Sequence, residues 1–242
     1  MSNAQSFVLF GYTSSKDAVL EVKTLIHPQT GRQCNFIYDK GQFLEIHKMD
    51  AYPSSWFVND QIIQDGSITL ATPIHPLFLC IPFLQRVSSP MFMQLEDMFV
   101  SRDYPDVACL VRNSTVNNTI HLICEEKRSG EDRFYQFSKS KCIEWLRSRV
   151  TLIEEVLRKE WKAKEEEVHL EAIRMIGRYV DDALFSELCS ALQIQRSDLV
   201  EVELPKAQPE KRQESKQPKG KRAKLEKSAK GMKTMNCFFK SK

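Results

Sequence analysis

The groups able to do chemistry in this chain are scattered, and none of them closes into a recognisable site. His121 and Cys124 have the spacing of a ligand pair. No second pair completes the four donors of a structural zinc site, so both read as buried structural residues. The adjacent carboxylates Asp181-Asp182 and Glu125-Glu126 raise a two-metal nuclease, in which carboxylates gather around ions about 3.5–4 Å apart. Neighbours on one helix or strand point in different directions, however, and Asp181-Asp182 has a simpler use as a helix cap. Seven cysteines, at 34, 80, 109, 124, 142, 189 and 237, form no Cys-x-x-Cys pair. Their odd number, and the apolar runs that hold several of them, fit reduced thiols acting as small hydrophobes. Neither a Gly-rich phosphate loop nor a Gly-x-Ser-x-Gly elbow occurs. The expectation is a chain with no catalytic residue, no metal site and no cofactor of its own.

The elements that would have to position any site centre on residues 54–85. Gln64-Asp65-Gly66-Ser67 separates two β-branched runs, Ile62-Ile63 and Ile68 to Thr72. Asp-Gly there predicts a hairpin, because a type I′ turn needs positive φ at both central positions. Thr72-Pro73 is read as the end of the strand, and Pro76 as the first turn of a helix, where its missing N–H is no loss. The apolar run Leu77 to Leu84 is too short to span a bilayer and reads as core, bent or shortened by Pro82.

Upstream, Phe7 to Tyr12, Val19 to Ile26, Cys34 to Tyr38 and Gln42 to His47 read as short strands. His27-Pro28-Gln29-Thr30-Gly31 makes one turn, and Asp39-Lys40-Gly41 makes another as a three-residue loop with Gly41 left-handed. So small a sheet leaves edge strands, and nothing in the sequence obviously covers them. Residues 88–106 read as a connector broken by Pro90 and Pro105; Val107 to Arg112 and Thr119 to Cys124 fit strand or helix equally. From an N-cap at Ser138, Cys142, Leu146, Val150, Ile153, Leu157 and Trp161 recur at helical spacing. Glu165 to Glu167 reads as a solvated charge run. Leu170, Ile173, Ile176 and Val180 mark a second helix, and Leu184, Leu188, Ala191 and Leu192 a third capped by Asp181-Asp182.

Charge is unevenly placed along the 242 residues. From Lys206 to Lys242 there are 13 Lys/Arg against 3 Asp/Glu, a net of +10, which leaves −7 for the rest. A basic tail of this kind meets polyanions or import receptors, and Lys221, Arg222 and Lys224 fit a nuclear import cluster. The tail is expected to be disordered, because it cannot bury enough apolar area to fold. The N-terminus carries no basic residue followed by an apolar run, so neither a signal peptide nor a membrane span is expected.

Two stretches carry a resemblance. Ser55 to Leu84, with Ser55-Trp56-Phe57 leading through a Gly-containing turn to Ala71-Thr72-Pro73-Ile74-His75-Pro76-Leu77-Phe78-Leu79, is similar to the B subunit of ribonuclease H2. His75 departs from the Asp that family members often place there. Near the other end, Met232, Met235, Phe238 and Phe239 resemble the box that binds the sliding clamp (PCNA), with Met232 at the usual Gln position. One helical turn puts Met235, Phe238 and Phe239 on one side as a plug. Family members end in such a box preceded by Gly-Met-Lys, as Gly231-Met232-Lys233 stands here.

The resemblance implies an α+β chain. Residues 1–87 form a β-rich half-barrel ending in an apolar helix, 88–204 a connector and helical domain, and 205–242 the basic tail. It implies a non-catalytic, nuclear member of a heterotrimer that interleaves strands with the C subunit and supports the catalytic A subunit, which uses Mg²⁺. The ribonuclease H2 complex so implied cuts RNA in RNA–DNA hybrids and ribonucleotides embedded in DNA. The competing readings are a different clamp-tethered repair adaptor with unrelated partners and, third, a free-standing nuclease.

Overall fold

The computed structural model describes residues 9–11, 20–49, 55–58, 60–63, 66–87, 91–161 and 163–199. Its sheet is built from β1 (Leu9–Gly11), β2 (Glu21–Ile26), β3 (Gln33–Asp39), β4 (Gln42–Met49) and β7 (Ile68–Ile74), in the order β1-β7-β4-β3-β2. Only the β1–β7 pair is parallel. Two further strands, β5 (Trp56–Val58) and β6 (Gln61–Ile63), pair with each other as a separate sheet.

Between β2 and β3 the expected turn forms: the Gly31 N–H donates to the His27 carbonyl at 2.9 Å, with Gly31 at φ 66°. The β3–β4 turn is tighter than its sequence predicts. Asp39 pairs directly with Gln42, so the loop is two residues, Lys40 at φ 46° and Gly41 at φ 93°. Positive φ at both positions matches the right-handed twist of the strands, which a type I turn would splay.

Gln64 and Asp65 of the expected hairpin turn lie outside the described residues, and among the described residues β6 and β7 on either side of them are not paired with each other. Instead β7 pairs antiparallel with β4 over seven residue pairs, Phe43↔Ile74 to Met49↔Ile68. A turn preference is local and small, whereas this ladder closes a sheet that buries Phe43, Leu44, Ala71 and Ile74. Nor does Thr72-Pro73 end the strand. Pro73 stands opposite Leu44, beyond the three residues paired with β1, where one side of β7 has no neighbour among the described strands. That is an edge position, which tolerates a residue without an N–H.

Alternation divides the sheet into two faces. Leu25, Phe36, Phe43 and Ile74 enter the main core, while Ile37, Leu44 and Ala71, with Leu20 and Ile46 beside them, form a smaller cluster on the other side. Helix α1 (Pro76–Arg86) follows β7 directly, and every residue from Pro76 to Leu84 is buried. Pro82 lies inside it without ending it; the helix continues to Arg86.

The remainder is helical except for one hairpin. Short helices α2 (Leu95–Met98), α3 (Ala108–Val111) and α4 (Ser114–Thr119) precede β8 (Cys124–Ser129) and β9 (Asp132–Phe137). Residues 107–123 are therefore helical turns, and the strand begins only at Cys124. Long helices α5 (Lys139–Glu160), α6 (Glu165–Gly177) and α7 (Asp182–Ala191) complete the fold. On α5, Cys142, Leu146 and Val150 are buried as their spacing predicts, but Ser138 sits at the N-cap without accepting a helix N–H, its hydroxyl instead lying 3.1 Å from that of Ser140. Glu165 to Glu167 is the first turn of α6, placed at the positive end of the helix dipole, where carboxylates stabilise. A single core cluster runs from Leu25 in the sheet through α1 to Leu188 and Cys189 in α7. Each fully buried Leu, Ile or Phe in it contributes about 1.5–3 kcal/mol. Among the described residues no helix is long and apolar enough to cross a membrane.

Candidate interaction surface

Burial takes most large apolar side chains out of solvent, which makes the exceptions on β5 and β6 informative. Phe57 is 79% exposed and Ile62 64% exposed, and the two are directly opposed across the β5–β6 pair. Opposed residues of an antiparallel pair share one face, so the two side chains form a single apolar spot. Met49, at the end of β4, is also more than half exposed. The hairpin is tied to the sheet by the Trp56 indole, whose Nε1–H donates to the Ser67 carbonyl at 3.1 Å, just before β7. A two-stranded sheet is marginal by itself, and its ladder edges, which have no neighbour among the described strands, lie beside exposed apolar groups and can receive strands of another chain.

The far edge of the large sheet is treated differently. The Thr24 N–H, on edge strand β2, donates to Asp106 Oδ2 at 2.9 Å. A residue of the connector thus closes part of an edge for which the sequence shows no cover. Val22, two residues earlier, stays 59% exposed.

The carboxylates singled out in the sequence are each engaged with a structural partner, and the ligand-type pair is split between surface and core. Asp181 Oδ1 accepts the Leu184 N–H at 2.8 Å and caps α7. Asp182 pairs with Arg196, Glu125 with Lys141 at 2.9 Å, and Glu126 with Arg128 at 2.8 Å. Cys124 is fully buried, and burial pushes its thiol up to about 12. His121 is exposed, against the expectation that both would be buried. Burial likewise raises Cys109 to about 11 and Cys142 to about 12, which keeps these thiols protonated and unreactive at neutral pH. Among the described residues no group of three or more His, Cys, Asp or Glu is placed to hold a metal ion.

One polar cluster went unread in the sequence. Glu45 is buried on β4, with His27 Nε2 at 3.1 Å and His47 Nε2 at 3.3 Å. Tyr179, just past α6, joins it: burial first, then the charge of Glu45 and the bond to it, raise the phenol to about 12. The cluster ties the sheet to the helical half. Its signal was a lone carboxylate inside the apolar run Phe43-Leu44-Glu45-Ile46. The clamp-box residues Met232, Met235, Phe238 and Phe239, and the basic cluster Lys221, Arg222 and Lys224, lie outside the described residues.

Comparison with known proteins covers both halves of this architecture. Residues 12–75 match the family model described as the Ydr279p protein triple barrel domain. Residues 78–228 match the Ydr279p protein family (RNase H2 complex component) wHTH domain. Among curated proteins, the chain is similar to the ribonuclease H2 B subunit of Xenopus tropicalis, 32% identical over 54% of this chain and 44% of the relative. It resembles the Homo sapiens protein of the same name at 27% identity, over 56% of this chain and 45% of the relative. The Schizosaccharomyces pombe counterpart is 28% identical over 55% of this chain and 50% of its own length. The matches span about half the length of these relatives. With a β-rich first half and a winged helical second half both matched, the chain belongs to the Ydr279p family of RNase H2 complex components, whose curated relatives here are named as the B subunit of ribonuclease H2.

Proposed function

We propose that this chain is a non-catalytic member of a ribonuclease H2 complex, which degrades RNA in RNA–DNA hybrids and removes ribonucleotides embedded in DNA. The observation that carries the reading is the exposed Phe57–Ile62 pair on a hairpin too small to be stable alone. Strands of the C subunit complete the sheet around it, and the assembled pair supports the A subunit, which holds the Mg²⁺-dependent chemistry. Asp181, Asp182, Glu125 and Glu126, each engaged in a cap or an ion pair, support a structural role for this chain. Its basic tail directs the complex to the nucleus through Lys221, Arg222 and Lys224, and tethers it to the sliding clamp through Met235, Phe238 and Phe239.

Cleavage assays test the assignment. The purified chain with Mg²⁺ leaves an RNA–DNA hybrid intact, and the same chain co-expressed with the A and C subunits yields a complex that cuts it. Cleavage by the chain alone that survives stringent repurification contradicts the proposal.

A further inference from the structure

Trp56 and Phe57 are neighbours on β5 and therefore point to opposite faces of the hairpin. Phe57 is displayed to solvent. Trp56 turns the other way and is half-buried, with its indole N–H on the Ser67 carbonyl. That carbonyl stands at a firm point of the fold. Ser67 immediately precedes Ile68, which lies opposite Met49 at one end of the seven pairs joining β7 to β4. The indole thus spans 11 residues of sequence, from the first strand of the hairpin to the start of a sheet strand.

The hairpin has little ladder of its own. Strands β5 and β6 share three pairs, Trp56↔Ile63, Phe57↔Ile62 and Val58↔Gln61, and neither is paired with the five-stranded sheet among the described residues. A two-stranded sheet this short is marginal in water. Opening it would part Phe57 from Ile62 and scatter the apolar spot that their register creates. A side chain fastened to the sheet opposes that opening. Tryptophan suits the task, since it brings a broad apolar ring and a single N–H donor.

We infer that Trp56 is a positioning residue: its indole holds β5–β6 in the ordered form before the C subunit arrives, so that Phe57 and Ile62 meet the partner as a preformed pair. This role rests on the assembly proposed above. For a partner that binds only the ordered hairpin, apparent affinity scales with the fraction of chains in which the hairpin is ordered. One hydrogen bond in a marginal element changes that fraction roughly fivefold. The ordered hairpin is the same with or without the bond, so the loss falls on the association rate and leaves the dissociation rate alone.

The test compares the full chain with its Trp56→Phe variant, which keeps an aromatic ring and removes the N–H. In the free chains, hydrogen exchange followed by mass spectrometry should speed up across residues 56–63 and stay unchanged across 42–49, with the thermal unfolding midpoint near that of the parent. Binding to the purified C subunit, measured by stopped-flow or surface kinetics, should show association slowed roughly fivefold and dissociation within about twofold of the parent. Unchanged exchange across 56–63 overturns the positioning role, whatever the C subunit does. Faster dissociation with unchanged association overturns it too, because Trp56 would then be a direct contact of the partner. Failure of the parent itself to bind the C subunit overturns the assembly reading, and with it the purpose assigned to Trp56.

Discussion

Asn113 Nδ2 donates to the carbonyl of Gly41 at 2.7 Å, across 72 residues of sequence. Asn113 is fully buried, and its Oδ1 also accepts the N–H groups of Thr115 and Val116, capping α4. One side chain thus ties the tip of the β3–β4 hairpin to the helical half. Asn113→Ala removes a cap and strands a buried carbonyl, together about 2–4 kcal/mol. Asn113→Asp keeps the cap but sets a carboxylate oxygen against the Gly41 carbonyl, so it too destabilises. Urea unfolding checks both; an unchanged midpoint for Asn113→Ala would mean that this tie carries no stability.

His75 predicts how stability responds to acid. Burial, then the charge of Arg149, lowers its pKa from 6.5 to about 4. The folded chain therefore holds the ring neutral where the unfolded chain binds a proton, and stability is fully present above pH 6.5 and lost as pH falls toward 4. Protonation also removes the Nδ1 acceptor that caps α1. The ring is only partly buried, so solvent screening reduces the effect to about 1–2 kcal/mol. His75→Asn supplies a cap that does not titrate. Its unfolding midpoint, followed between pH 7 and 4.5, should fall less than that of the parent by this amount.

Phe57 and Ile62 lie on the surface of the isolated chain, so changing them should leave folding within about 0.5 kcal/mol. Phe57→Thr with Ile62→Thr, which keeps β-formers and adds no charge, should nonetheless weaken assembly with the C subunit by ~2 kcal/mol or more, roughly thirtyfold, as removing a central aromatic anchor does. Co-purification and the thermal midpoint of the isolated variant separate the two effects. A variant that assembles normally would place the contact elsewhere.

In the tail, Phe238→Ala with Phe239→Ala should lower affinity for the sliding clamp by about two orders of magnitude, since each buried ring contributes about 1.5–3 kcal/mol. Met232, standing where the box usually has Gln, should matter less. Calorimetric titration of the tail peptide into the clamp measures this. Equal binding by both peptides would leave the basic residues as the whole attraction.

Elements whose signal is local were legible in the sequence. The stripe from Cys142 to Val150 is buried because 3.6-residue spacing and one-sided burial are the same fact. Asp181 caps α7 because the bond it makes lies three residues away. What depended on distant residues was not legible. Asp65-Gly66 has a hairpin's chemistry, yet β7 pairs with β4 because a seven-pair ladder outweighs a turn preference. Pro73 stays in its strand at a position with no described neighbour on the β1 side of β7. For residues 107–123, short turns leave no periodicity to read. Of the candidate surface, Phe57 and Ile62 were visible as residue types; that they share one exposed face follows only from the β5–β6 register.

The central claim is that this chain works as one member of a defined complex through its β-rich half. Native mass measurement of the assembly purified through the full chain, after co-expression with the A and C subunits, tests it most directly. The expected mass equals one copy of each of the three chains. Recovery of this chain alone, or in stoichiometric complex with unrelated proteins while the other two remain in the flow-through, would contradict it.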